Sequence, residues 1–94
     1  MVKKVTKSSG NVFLDLGFPP HEAAVLLLRA QLVEALRGWI ERERLTQAEA
    51  AKRLGIAQPR VSDIMRNKVE LMSLDYLVSL CAKARLDVDL RLAA

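Results

Sequence analysis

The chain has little of what staples, breaks or buries a polypeptide in a membrane: among its 94 residues are one cysteine, three prolines and four glycines. A lone cysteine, Cys81, closes no internal disulfide, and no set of Cys and His has the spacing of a zinc site. No metal or cofactor is therefore expected, and a reducing compartment suits the chain. So few glycines and prolines exclude collagen-like and linker compositions. Aromatic residues make up only 4%. Strands favour aromatic and β-branched side chains, whereas Ala, Leu, Arg and Glu, abundant here, favour helix, so an all-α class is expected. The longest uncharged apolar run, residues 23–28, is six residues long, against the roughly 20 that a membrane span needs. The lysines near the start adjoin no apolar stretch of the kind that a secretory signal requires, which makes the cytoplasm the expected location. What is present, 51% hydrophobic and 28% charged residues, is the balance of a folding globular domain. The length fits one core and no large enclosed active site.

The net charge of +4 is unevenly spread. Residues 1–10 carry +3, residues 11–51 carry −2, residues 52–68 carry +4 and residues 69–94 carry −1. A basic cluster confined to one short stretch is either a solvated helix face or the footprint of a nucleic acid. Residues 1–10 read as a flexible basic tail, and 11–94 as a single domain.

Within that domain, Asn11 to Gly17 reads as a short helix between an Asn cap and a Gly stop, with a short strand as the competing pattern. Pro20 suits the first turn of a long helix running to about Arg44, with Glu22 at its positive end. Val25, Leu28, Leu32, Leu36 and Ile40 form its apolar stripe, and Leu26, Leu27, Val33 and Trp39 widen it, giving the helix more than one face to bury. Thr46 with Glu49 three residues on is a capping box, and Gly55 closes the helix that follows. A second helix starts at Ala57-Gln58-Pro59, turns Val61, Ile64 and Met65 inward and ends near Asn67. Ser73 caps a further helix with Leu74, Leu77, Val78 and Cys81 inward, fading near Leu86. Residues 87–92 alternate with period two, so Val88, Leu90 and Leu92 share a face of a short strand.

Residues 46–67 have the chemistry of a helix-turn-helix. Ala51 is small where two helices cross, Gly55 sits at the sharp turn and Ile56 fills the space beneath it. With Val61, Ile64 and Met65 inward, a rotation of about 100° per residue puts Pro59, Asp63 and Arg66 outward. Gln58 and Arg60 occupy the first turn, the end that enters the major groove. Gln matches the adenine edge and Arg the guanine edge, so Gln58, Pro59, Arg60 and Asp63 are the candidate base-reading residues. Asp63 either accepts from cytosine or orients Arg60 or Arg66. Thr46, Gln47, Arg53, Ser62, Arg66, Asn67 and Lys68 are the candidate phosphate contacts, which fix register without reading sequence.

This stretch resembles the lambda-repressor-like helix-turn-helix of the XRE family over roughly residues 37–85. Through Asn11-Val-Phe-Leu-Asp-Leu-Gly17, Thr46-Gln-Ala-Glu-Ala-Ala51 and Gln58-Pro-Arg-Val-Ser-Asp63, nearly the whole chain resembles the HigA-type antitoxins of that family. The resemblance implies a bundle of about five helices. It also implies a homodimer on operator DNA that represses its own operon and neutralises a RelE/HigB-like mRNA-cleaving toxin. A stand-alone XRE-type repressor without a toxin is the alternative. Ala57 departs from the family, which often has a capping Ser there.

Other features read as structural. His21 is an exposed helix-start residue, and the pairs Glu41/Glu43 and Asp87/Asp89 lack the attendant His or glycine loop of a catalytic or metal site. No enzyme is expected, and Cys81 reads as a small buried residue. The lysine tail is either solvated or an arm that follows DNA. A lone strand leaves backbone groups unpaired, so residues 87–92, with Val88, Leu90 and Leu92, are expected to pair across a two-fold axis in a homodimer. The surplus face of the long helix would bury the rest of that interface.

Overall fold

A computed structural model describes residues 10–93. Five α-helices follow in order: α1 (Val12–Asp15), α2 (Pro20–Arg42), α3 (Gln47–Leu54), α4 (Gln58–Met65) and α5 (Leu74–Lys83), with a 3-10 turn at Val69–Leu71 between the last two. The fold is all-helical, and the sequence expectation for residues 1–9 lies outside the described residues.

Each helix begins where its cap chemistry allows. Asn11 Oδ1 accepts from the Phe13 and Leu14 amides, and its Nδ2 donates to the Ala23 carbonyl at 3.0 Å, tying α1 to the first turn of α2. Gly17, at φ +98°, makes the reversal between them in a region that side chains rarely enter. Pro20 opens α2, where its missing N–H costs no hydrogen bond. Thr46 Oγ1 accepts from the Glu49 amide at 3.1 Å while the Thr46 amide donates to Glu49 Oε1 at 2.8 Å, the reciprocal pair that starts α3. Three non-glycine residues in the left-handed region, Arg44, Asn67 and Arg85, turn the chain off α2, α4 and α5. Thus α2 stops at Arg42 and α5 at Lys83, both a little short of the expected ends.

The core is built from Val33, Leu36 and Ile40 of α2, Ala50 and Leu54 of α3, Val61 and Ile64 of α4, and Leu77, Leu80 and Cys81 of α5. Ala51 is buried at the α3–α4 crossing and Ile56 packs against the cluster, as the helix-turn-helix pattern requires. Two expected stripes are corrected. In α2 the buried positions are Ala23, Val33, Leu36, Trp39 and Ile40, while Val25 and Leu28 remain exposed. A helix of this length spans about 34 Å at 1.5 Å per residue. The molecule measures 41 × 23 × 22 Å, so α2 lies along its long axis. In α5 the inward row is Leu77, Leu80 and Cys81, continued by Ala84 at its C-cap; Leu74 is half-buried and Val78 exposed.

The C-terminal strand is a third correction. Among the described residues there is no strand, and residues 87–93 have no regular structure. Period-two alternation distributes side chains but supplies no backbone partner, and no other described segment offers one. Val88, Asp89 and Leu90 all line a groove of about 330 Å³ with Leu28, Leu32, Leu74 and Val78. Leu92 is 89% exposed.

Candidate nucleic-acid interface

The capping box fixes where α3 starts, and the α3–α4 turn sets α4 against it. Gly55 adopts φ +69° and ψ 35° as the left-handed cap of α3, and the Ile56 amide closes the turn on the Ala51 carbonyl at 3.0 Å. Ala57 is extended and contributes no side-chain cap to α4, in keeping with its lack of a hydroxyl. With Val61 and Ile64 sealed in the core, the opposite side of α4 and the first turn of α3 enclose a shallow, open concavity of about 490 Å³.

Gln47, Gln58, Pro59, Ser62, Asp63 and Arg66 line it. Gln47 sits half-buried at its floor, and Gln58, Pro59 and Arg66 are exposed at its mouth. Asp63 and Arg66 form an ion pair at 3.7 Å one turn apart, with Asp63 the more buried partner. The carboxylate therefore holds the guanidinium, one of the two roles its sequence position suggests. The amide side chains of Gln47 and Gln58 supply both donors and acceptors, the Ser62 hydroxyl does the same, and Arg66 supplies the cation. Such a set bonds to base edges and phosphates rather than to an apolar ligand.

The remaining sequence candidates do not line this concavity. Thr46 is occupied as the α3 cap. That cap acts on Glu49, whose carboxyl is held below its usual range first by the Thr46 backbone amide, then by the Thr46 hydroxyl, with a smaller contribution from Arg53. Arg53 pairs with Glu43 at 3.4 Å. Asn67 accepts from Arg37 Nη1 at 3.3 Å, which ties the end of α4 to α2. Lys68 is exposed beyond that turn. Arg60 departs furthest from expectation: its Nη1 donates to the Leu71 carbonyl at 3.3 Å and its guanidinium lies 5.8 Å from the centre of the Tyr76 ring. Arg37, Leu71 and Tyr76 had no signal in the sequence, because each acts through a contact distant along the chain. Val88, Leu90 and Leu92 lie on the separate C-terminal segment.

Among the described residues no group of three or more His, Cys, Asp or Glu side chains is placed to hold a metal, and no helix is long and apolar enough to cross a membrane. Cys81 is buried in the core, and desolvation pushes its thiol up, keeping it protonated.

Two short helices joined by a glycine turn, the second presenting a polar face beside the first turn of the other, define a helix-turn-helix DNA-binding domain. Residues 12–93 match a family model described as a helix-turn-helix domain. Among solved structures the chain is similar to a protein described as an XRE-family transcriptional regulator, at 37% identity and a TM-score of 0.72, over 78% of this chain and 82% of that one. No curated protein matches. The chain belongs to the helix-turn-helix family and is of the XRE regulator type. Neither match singles out the HigA-type branch.

Proposed function

We propose that the chain is a sequence-specific transcriptional repressor that binds operator DNA as a homodimer, and that it is the antitoxin of a type II pair whose toxin is a RelE/HigB-like mRNA-cleaving enzyme. The concavity formed by α3 and α4 carries the DNA half of this reading. Gln58 and Pro59 meet base edges, and Asp63 acts through Arg66, which it holds in an ion pair. Gln47, Ser62, Arg66 and Lys68 meet phosphates. Thr46, Arg53 and Asn67 act behind them, as cap, ion-pair partner and helix-end tie. The contact of Arg60 with Leu71 and Tyr76 favours a backbone-facing role over base reading.

Dimerisation is supported by the apolar groove beside α5. It is a hole lined by Leu28, Leu32, Val78 and Leu90 on a chain that also displays Leu92 as an exposed knob. A surface with both shapes is self-complementary, as a two-fold contact requires. Two copies would then read half-sites about 34–36 Å apart.

The antitoxin half is supported by apolar surface that the reading unit does not need. Leu16 and Phe18, before α2, remain exposed although the α3–α4 core is sealed. The stand-alone repressor accounts equally well for the concavity. Gentle purification of the chain from its native host, followed by mass spectrometry, separates the two. A near-stoichiometric small basic protein that cleaves RNA establishes the antitoxin, whereas recovery of homodimer and operator DNA alone establishes the repressor without a toxin.

A further inference from the structure

A second concavity, of about 430 Å³, lies between the first turns of α2 and the 3-10 turn, and it shares no lining residue with the one on α3 and α4. Its apolar wall is Phe18, Val25 and Leu26, its charged groups are Glu22 and Arg29 of α2 and Glu70 of the 3-10 turn, and the His21 imidazole completes the lining. Glu22, Val25 and Arg29 follow one another at three- and four-residue intervals, so they form one stripe of α2. Phe18 is 40% and Val25 36% exposed, and the adjoining α1 leaves Val12 and the next-turn Leu16 more exposed still.

We propose that this cleft docks an amphipathic helix of a protein partner, one that presents apolar and basic side chains on the same face. The charges select the occupant. Glu22 and Glu70 stand on opposite walls, and among the described residues neither makes an ion pair. An apolar floor between unpaired carboxylates matches apolar residues flanked by Lys or Arg. The same carboxylates repel a phosphate backbone and an anionic membrane. A second copy docked here about a two-fold axis would set these carboxylates against their own images, a like-charge contact that opposes self-association. Arg29 Nε is buried without an acceptor, a cost that a partner's carbonyl would relieve after a small shift of the side chain.

The inference rests on the partner-masking half of the proposed function for the partner's existence, and its test runs without DNA. The probe is a synthetic amphipathic helix of leucine and lysine, titrated into the isotope-labelled full chain, with a leucine and glutamate helix as control. Amide shifts should cluster at residues 18–29 and 69–71 and saturate, with the acidic helix binding roughly tenfold more weakly. A Glu22→Lys/Glu70→Lys variant with an unchanged melting temperature should reverse that preference. Equal response to the two helices, shifts at Val78 and Leu90 instead, or no saturable shift overturns the proposal. Changes at residues 18–29 on removing residues 1–9, or on diluting the protein without peptide, would assign the cleft to the chain's own tail or to a second copy and equally overturn it. A native partner that copurifies but leaves these amides unmoved would sink this surface while sparing the antitoxin reading.

Discussion

The end of the molecule that carries α3 and α4 and the end that carries α1 and the first turns of α2 leave different groups in water. At the first, every large apolar side chain of α3 and α4 is buried or packed on the core, and what faces outward is polar: Gln47, Gln58, Ser62 and Arg66. At the second, Val12, Leu16, Phe18 and Val25 stay exposed beside Glu22 and Glu70. The C-terminal segment resembles the second end, with Leu90 and Leu92 in solvent. A finished polar surface around a fixed helix suits a partner recognised by hydrogen bonds and charge. An apolar surface left open suits a partner that buries it. On the proposed reading the two ends are covered by chemically different partners, DNA at the first and protein at the second.

The comparison breaks most visibly in stability. Leu36→Ala and Ile64→Ala, at positions with no solvent exposure, should each cost about 2–5 kcal/mol in chemical denaturation. Leu16→Ala and Leu92→Ala, in the uncovered regions, should stay within about 0.5 kcal/mol. A cost for Leu16→Ala as large as for Leu36→Ala would mean that the α1 end is core and not a waiting surface.

Gly55→Ala should cost about 1–2 kcal/mol, because an L side chain is strained at this left-handed cap. A Cβ there would meet Lys83 Nζ only at 3.8 Å, so the penalty is conformational and not a clash. A thermal midpoint equal to that of the parent would show that the α3–α4 turn tolerates another backbone shape.

Thr46→Ala should cost about 0.5–2 kcal/mol through loss of the cap, and it should also change the acid response. The Glu49 carboxyl is held low in the folded chain, chiefly by the Thr46 amide and hydroxyl. A depressed folded value stabilises the fold above the unfolded carboxylate range, and that contribution is lost as pH falls through the folded value. The melting temperature of the parent should therefore fall on acidification below the ordinary carboxylate range, and the Thr46→Ala variant should show a shallower fall. Parallel pH profiles would contradict this account of the cap.

Arg60→Ala and Lys68→Ala sharpen the polar side of the comparison with the smallest effects. Each should weaken operator and random DNA alike, Lys68→Ala flattening the salt slope by about one unit. For Arg60→Ala, loss confined to one base position would restore Arg60 to the base-reading set.

How much of this was legible in the sequence follows from how far each signal acts. Thr46 with Glu49, Gly55, Asn11 and Ser73 satisfy backbone groups within a few residues, so their helices start or stop where the sequence places them. The spacing of Val61 and Ile64 turns them inward, and the outward set on α4 follows from them by rotation alone. Arg60 could not be placed this way, since its partners, the Leu71 carbonyl and the Tyr76 ring, lie on later elements. Asn67 was diverted in the same manner by Arg37, which is thirty positions away. Val88 and Leu90 of the 87–92 alternation line one groove, but so does Asp89 between them; a strand also needs a second backbone, and among the described residues there is none. The inner rows of α2 and α5 were rotated because periodicity alone cannot say which of two apolar faces the bundle covers.

The central claim is that the concavity of α3 and α4 reads DNA sequence through Gln58. The most direct measurement selects a preferred duplex from a random pool with the full chain, then compares binding of that duplex and a scrambled one by the parent and by Gln58→Ala at fixed salt. The account predicts clear preference in the parent and loss of about 1–3 kcal/mol of it in Gln58→Ala, with scrambled-duplex affinity unchanged. A parent that selects no sequence, or a Gln58→Ala variant that keeps the full preference, would contradict it.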